Sequence, residues 1–317
     1  MGEDIITYPP FLNTTTLLGI FYRSETTKQY CFVYFCRMEV LEGKTETRAF
    51  AKKHLFRWLK ILLLIYCFIG LAIYYAQDFL IFHPTVQNKD YVYQFSQPHT
   101  EVNIPYDATT NINIIQFTQA NPQPKGVVLY FHGNKGNVQR YARFANRFTN
   151  NGYEVWMIDY PGYGKSTGQF SEKRVYDWSL VMYNLARKRF STDSIIIYGK
   201  SLGTGMASQL ASIRDSKYLI LETPYYSFTS LADTWFWMYP LSKMLHYNFP
   251  SYEYLKKVTA PIVIFHGTKD ELIPYDNAVK LKDVLKKQDS FITIDGGDHR
   301  NLNQFSAMQS KLDALLQ

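Results

Sequence analysis

Cysteine is scarce in this chain of 317 residues: Cys31, Cys36 and Cys67 are the only three, and none follows position 67. A disulfide framework and a cysteine-rich zinc site are thereby excluded for the C-terminal three quarters. Blocks of like charge are missing as well. The formal net charge is +7, but the excess is spread thinly along the whole chain, so nucleic acid is not expected as a partner. Neither an H-E-x-x-H pair nor paired cysteines occur, so nothing supports a metal site. A phosphate-binding loop is also lacking. Gly164-Lys165-Ser166 imitates the end of one, but Asp159 stands where its first glycine would be. What is plentiful is apolar surface: 46% of residues are hydrophobic against 19% charged, with 26 Tyr and 22 Phe, which suits a chain that builds a large core.

One apolar run stands apart. Ile61 to Ala76 contains no charge and no amide. At about 1.5 Å per residue it reaches roughly 24 Å, somewhat short of a bilayer core. Trp58 and Leu59 lengthen it, Lys60 can snorkel, and Tyr74 and Tyr75 suit the opposite interface. A cleaved signal peptide fits less well, because a cut after Ala76 would put Tyr74 where a small residue belongs; a buried core helix is the other alternative. The expectation is an uncleaved transmembrane anchor over residues 61–76. Lys44, Arg48, Lys52, Lys53, Arg57 and Lys60 precede it against the single acid Glu46, so residues 1–60 are expected in the cytoplasm and the remainder on the far side, in a periplasm or lumen. The first 37 residues show no trustworthy period; the aromatic run Tyr30–Phe35 is too short to span, and Met38 offers an alternative start.

Beyond the anchor the pattern becomes regular. Tyr91–Phe95, Glu101–Ile104 and Ile112–Phe117 read as early strands forming an antiparallel edge. Short apolar runs then alternate with amphipathic stretches. The runs are Gly126–Phe131, Tyr153–Asp159, Ser194–Tyr198, Tyr218–Glu222, Ile262–Phe265 and Phe291–Ile294; the helical stretches are Asn137–Thr149, Glu172–Arg189, Leu202–Ile213 and Asp276–Lys287. Such alternation predicts one α/β domain over residues 77–317, with a mostly parallel sheet covered on both faces. Residues 223–260 are longer than a crossover needs and read as a small cap, or as a helix pair packed in the core. Trp235, Trp237 and Tyr239 within them are candidate substrate-lining residues.

Sites of open parallel sheets lie at the carboxyl ends of the strands. After SIIIY stands Gly199-Lys200-Ser201-Leu202-Gly203, a G-x-S-x-G between a strand and a helix, as a nucleophile elbow requires. Gly205 is expected to let the new helix approach the sheet. After GVVLYF, the turn His132-Gly133-Asn134 can offer a backbone N–H; those of Asn134 and Leu202 are the natural pair of oxyanion donors. After IVIF comes Asp270, and after FITI comes His299. The chain order Ser201, Asp270, His299 is that of a hydrolase triad, with His299 as base and Asp270 holding its ring. Glu222 competes as the acid, Asp298 adjoins His299, and His132 and His266 read as structural hydrogen-bonders. Lys200 reads as a surface or entrance cation.

Taken together, HGN, DYPGYGKS, GKSLGTG, HGTKDELIP and GGDH resemble the α/β-hydrolase superfamily. The resemblance is nearest to its membrane-anchored α/β-hydrolase-domain proteins, which carry a D-x-L-I-F-x-P-like stretch after the anchor, here Asp78–Pro84. It covers residues 77–317 and implies an α/β-hydrolase fold with an eight-stranded sheet, a Ser-His-Asp esterase-type site and no cofactor. The expected function is a membrane-anchored serine hydrolase of carboxylic esters or thioesters, with lipid-like or acylated substrates. A serine aminopeptidase-like peptidase and a non-catalytic binding protein on the same fold are the alternatives.

Overall fold

The computed structural model describes residues 19–23, 30–34, 40–118 and 123–317. They fall into two compact units, residues 1–68 and 69–317. In the first, β1 (Gly19–Arg23) and β2 (Tyr30–Tyr34) pair antiparallel, so most of the aromatic run at 30–35 is a strand. The alternative start at Met38 lies outside the described residues. Helix α1 (Val40–Tyr75) begins in this unit and is much longer than the run at 61–76, because the Lys, Arg, Glu and Leu residues before it are good helix formers. Its stretch Phe50–Tyr75 is, among the described residues, the one helix long and apolar enough to cross a membrane.

The second unit takes in the last turns of α1 and continues through α2 (Gln77–Ile81) and β3 (His83–Pro84). The antiparallel edge follows as β4 (His99–Pro105) and β5 (Asn111–Phe117). Next come β6 (Gly126–Phe131), β7 (Lys135–Gly136), α3 (Val138–Tyr141), α4 (Ala145–Thr149), β8 (Tyr153–Ile158) and α5 (Glu172–Arg187). Then follow β9 (Ile195–Lys200), α6 (Gly203–Ile213) and β10 (Tyr218–Glu222). The insertion forms α7 (Phe228–Phe236), α8 (Leu241–Met244) and α9 (Ser251–Leu255). The chain ends in β11 (Ile262–Gly267), α10 (Tyr275–Ala278), β12 (Ser290–Ile294) and α11 (Ser306–Leu316).

Eight strands form one sheet in the order β12-β11-β10-β9-β6-β8-β5-β4, parallel from β12 to β8 and antiparallel at the β8-β5-β4 edge. The alternating side chains of each strand feed two cores. Leu129, Ile197, Leu221 and Ile264 meet Trp178, Met182 and Met206 on one face. Val128, Ile196, Ile220 and Val263 meet Val138, Phe148 and Leu312 on the other. The chain runs from β6 outward to β8, then returns to the other side of β6 as β9. That reversal opens a crevice at the carboxyl ends of β6 and β9.

Three expectations change. Tyr91–Phe95 is not a strand: Tyr93 is buried and stacks on Phe95, whose ring meets Phe117 edge-on. Tyr93 packs into the cluster on one face of the sheet and donates its hydroxyl to Asp159 at 3.1 Å, so ring packing rather than a ladder holds this segment. Asn137–Thr149 is divided into α3, a 3-10 turn at Ala142–Phe144 and α4. The helix expected at Asp276–Lys287 is one turn of α10 followed by 3-10 structure at Val279–Val284.

The insertion is partly core. Tyr225, Tyr247 and Phe249 are buried in the main cluster, while Trp235 and Trp237 are 59% and 77% exposed. Tyr239 is buried against Ile73 and Leu241, close over Gly70 in α1. Burial separates the tryptophans energetically. Trp178→Ala is expected to cost about 3–5 kcal/mol in urea unfolding of the detergent-solubilised full chain, and Trp237→Ala no more than about 0.5 kcal/mol.

Candidate active site

The elbow after β9 is built by close approach. Ser201 has φ 53°, a left-handed conformation unusual for serine, and its N–H donates to the Glu222 carbonyl across the strand end at 2.9 Å. A Cβ on Gly199 would lie 2.7 Å from the Gly203 oxygen and the Thr204 Cα; one on Gly203 would overlap the Phe131 carbonyl and lie 2.7 Å from that of His132. Helix α6 can therefore start beside the end of β6 only if both positions lack side chains. Gly205 serves another purpose than the one expected of it: it leaves room for the Tyr225 hydroxyl and for Phe249 of the insertion.

The loops after β11 and β12 bring two further groups to this point. His299 Nε2 lies 2.9 Å from Ser201 Oγ, and its Nδ1 lies 2.8 Å from Asp270 Oδ2. Asp270 is buried, and its Oδ1 accepts the N–H groups of Leu272 and Ile273 at 3.0 and 2.8 Å. These bonds hold the carboxylate with one oxygen free for the imidazole. His266 stands behind it, with Nε2 2.9 Å from the Ile273 carbonyl, and burial pushes its pKa down. It is thus a neutral donor bracing the Asp270 loop. An arrangement of hydroxyl, imidazole and buried carboxylate at these distances can move a proton from the Ser201 oxygen and stabilise the cation that results.

The loop carrying Asn134 lies alongside: a Cβ on Gly133 would be 3.5 Å from that of Ser201. Groups not foreseen in the sequence hold it. Tyr160 and Tyr163 donate their hydroxyls to the carbonyls of His132 and Asn134 at 2.7 and 2.9 Å. The Asn134 side-chain Nδ2 donates to the Ile81 carbonyl at 2.8 Å, and the Asn134 backbone carbonyl accepts the His83 N–H at 3.1 Å. β3 pairs with β7, and Thr85 donates to the Gly136 carbonyl. The segment just after α1 is therefore zipped onto the loop beside Ser201. The D-x-L-I-F-x-P-like stretch was the signal for it. The backbone N–H groups of Asn134 and Leu202 are engaged by no other group among the described residues.

Other candidates are placed elsewhere. Glu222 is buried, bonded to the Tyr198 hydroxyl at 2.5 Å and to Lys200 Nζ, so it is not free to serve as the acid. Lys200 is no simple surface or entrance cation. Although it lines the cleft, its side chain is buried, because the β9–β10 register sets it opposite Glu222 and a buried ammonium requires such a partner. Asp298 turns into its own loop, accepting the N–H groups of Arg300 and Asn301. In the imitation phosphate loop, Lys165 pairs with Glu101 and Ser166 donates to the Asp159 carbonyl, both structural contacts. Trp235, Trp237 and Tyr239 do not line the cleft of about 770 Å³ that contains Ser201 and His299; Leu80, His83 and Gly133 are among the residues that do. Successive bulky residues at a helix end point around its axis, and of these three only Tyr239 finds a buried place, against α1.

In fold and in sequence the chain is similar to proteins of the α/β-hydrolase superfamily. A family model described as serine aminopeptidase, S33, matches residues 122–254. The chain is 27% identical over 201 residues to alpha/beta hydrolase domain-containing protein 17C of Xenopus tropicalis, covering 62% of this chain and 63% of that one. It is likewise 27% identical over 204 residues to protein 17B of Homo sapiens, covering 62% and 68%. The chain thus spans less than two thirds of the first of these curated relatives. Among solved structures, an esterase of Pyrococcus furiosus superposes with a TM-score of 0.58 at 17% identity, over 74% of this chain and 97% of that one. Est1E of Butyrivibrio proteoclasticus, with ferulic acid bound, gives 0.54 at 20% identity over 68% and 96%. At these identities the structures speak for the fold alone.

The left-handed Ser201 backbone carries a measurable cost. Ser201→Gly is expected to unfold at higher urea than Ser201→Ala, by about 1 kcal/mol, since only glycine adopts this φ without penalty. Equal midpoints would show an unstrained elbow.

Proposed function

We propose that the chain is a membrane-tethered serine hydrolase of carboxylic esters or thioesters. The observation that carries the reading is the continuous chain of hydrogen bonds from Ser201 Oγ through His299 to Asp270, at 2.9 and 2.8 Å. Ser201 Oγ attacks the acyl carbon while its proton passes to His299 Nε2. Asp270, bonded to Nδ1–H, keeps that nitrogen protonated and stabilises the imidazolium. The N–H groups of Asn134 and Leu202 receive the developing oxyanion, aided by the N-terminus of α6 beside Ser201. His299 then returns the proton to the departing alcohol or thiol, leaving an acyl-enzyme. It next takes a proton from water, which attacks the acyl carbon, and passes it to Ser201 Oγ as the acyl–oxygen bond breaks and the acid leaves.

The aminopeptidase reading has the name of the matching family model in its favour. A peptidase that holds a substrate ammonium needs an acid at the cleft, whereas the charged residues of the cleft are mainly basic, Lys135, Arg140, Arg143, Lys269 and Arg300 against Glu271 and Asp298. The ester reading is therefore preferred. A fluorophosphonate probe is expected to label the full chain and to lose its target in Ser201→Ala. Asp270→Asn should lower kcat on p-nitrophenyl esters by about 10⁴ without loss of fold. Near-normal turnover in that variant would remove Asp270 from the site.

In this reading residues 61–76, nearly all within the apolar stretch Phe50–Tyr75 of α1, are the anchor, with residues 1–60 cytoplasmic and the domain of residues 77–317 on the far side. Leu80 lines the cleft only five positions after Tyr75, which favours substrates drawn from the membrane, lipids or acylated molecules. Trp235 and Trp237 are exposed in the segment that leads into Tyr239, and exposed tryptophans suit the aromatic belt of a membrane boundary. Protease added to sealed vesicles of known orientation should digest the domain from the far side alone. Digestion from the cytoplasmic face would reverse the assignment.

A further inference from the structure

The cleft at Ser201 carries an excess of positive charge, five cations outside any ion pair against the acids Glu271 and Asp298. Lys135, Arg140, Arg143, Lys269 and Arg300 all line it and are exposed. None of the five takes part in an ion pair among the described residues, although the chain pairs Arg147, Lys165, Lys173, Arg189 and Lys200. They converge from separate places: β7, α3, the 3-10 turn after it, and the loops after β11 and β12. Two are braced, the Arg140 stem against Gly136 and the Arg143 guanidinium over the Phe144 ring at 4.8 Å. Of the two acids in the same lining, Asp298 is taken up by its own loop and Glu271 is exposed. Lys200 is already neutralised by Glu222. Like charges gathered around a concave site repel one another and focus a positive potential onto whatever enters it.

We propose that the substrate is an acyl ester or thioester whose non-acyl half carries an anionic phosphate, held by these side chains while the acyl carbon lies at Ser201. The proposal rests on the serine-hydrolase reading above. Two sources share this chemistry, a glycerol phosphate headgroup and a nucleotide-borne thiol such as coenzyme A.

The test uses the full chain in neutral detergent with short substrates that stay monomeric: 1-butyrylglycerol, 1-butyrylglycerol 3-phosphate, butyryl-coenzyme A and p-nitrophenyl butyrate. The kcat/KM for at least one phosphate-bearing substrate should exceed that for 1-butyrylglycerol by about tenfold or more, chiefly through KM, and the gap should narrow in about 0.5 M salt. The better of the two phosphate substrates identifies the source. Arg140→Glu and Lys269→Glu should each lower the phosphate-to-neutral ratio about tenfold, and Arg140→Lys should keep it. A ratio near one, or one that both charge reversals leave unchanged, overturns the proposal while p-nitrophenyl butyrate turnover keeps the hydrolase reading alive. The proposal is equally overturned if monomers show no preference and anionic vesicles alone raise activity, because the cations would then serve a membrane surface. A wild type that hydrolyses none of the four overturns the hydrolase reading itself.

Discussion

The contact on which the site depends is the approach of α6 to the end of β6. With Gly203 seated against the carbonyls of Phe131 and His132, the chain has no room to leave β9 by an ordinary turn. It takes the left-handed step at Ser201, and the Ser201 N–H is secured to Glu222 on the neighbouring strand. Strain of this kind persists only where the surroundings over-determine it. Here the buried β6, β9 and β10 do so, and the hydroxyl is left presented at the crevice where the strand order reverses.

From this corner the rest of the site is assembled by loops that are individually short and well tethered. Asp270 is held by two backbone donors and backed by neutral His266. The loop of Asn134 is held by Tyr160, by Tyr163 and by the segment after α1. That last tether joins regions far apart in sequence. α2 also receives contacts from the insertion: Asp78 accepts the Tyr247 hydroxyl at 2.8 Å, and the Gln77 side chain bonds the backbone of Met244 and His246. The end of the apolar helix, the insertion and the loop beside Ser201 thus share one hydrogen-bonded junction. Any displacement of α2 would be felt at Asn134.

Much of this was legible in the chain itself. The alternation of apolar runs and amphipathic stretches gives the parallel sheet, because a strand covered on both faces must be apolar throughout. The order of Ser201, Asp270 and His299 could be read because each follows an apolar run within a few residues, and strand ends are where such sheets gather their side chains. Glycines at 199 and 203 were informative for the same local reason, since a tight strand-to-helix turn limits what can stand two residues on either side of its centre.

What tertiary structure alone decided is everything that depends on which strands are neighbours. Lys200 looks like a free cation in sequence; the β9–β10 register places it opposite Glu222 and makes both buried. Tyr91–Phe95 alternates as a strand does, but its rings pack on the face of the sheet and on one another instead of its backbone joining the ladder. Trp235, Trp237 and Tyr239 suggested a channel by their composition, yet composition carries no direction: the fold aims two outward and one at α1, and lines the cleft with cations from separate elements and loops instead. Local sequence sets period, turn and strand-end chemistry because those involve residues a few positions apart. Burial, pairing and the charge of a cleft arise between residues up to some two hundred positions apart, and only the folded chain brings them together.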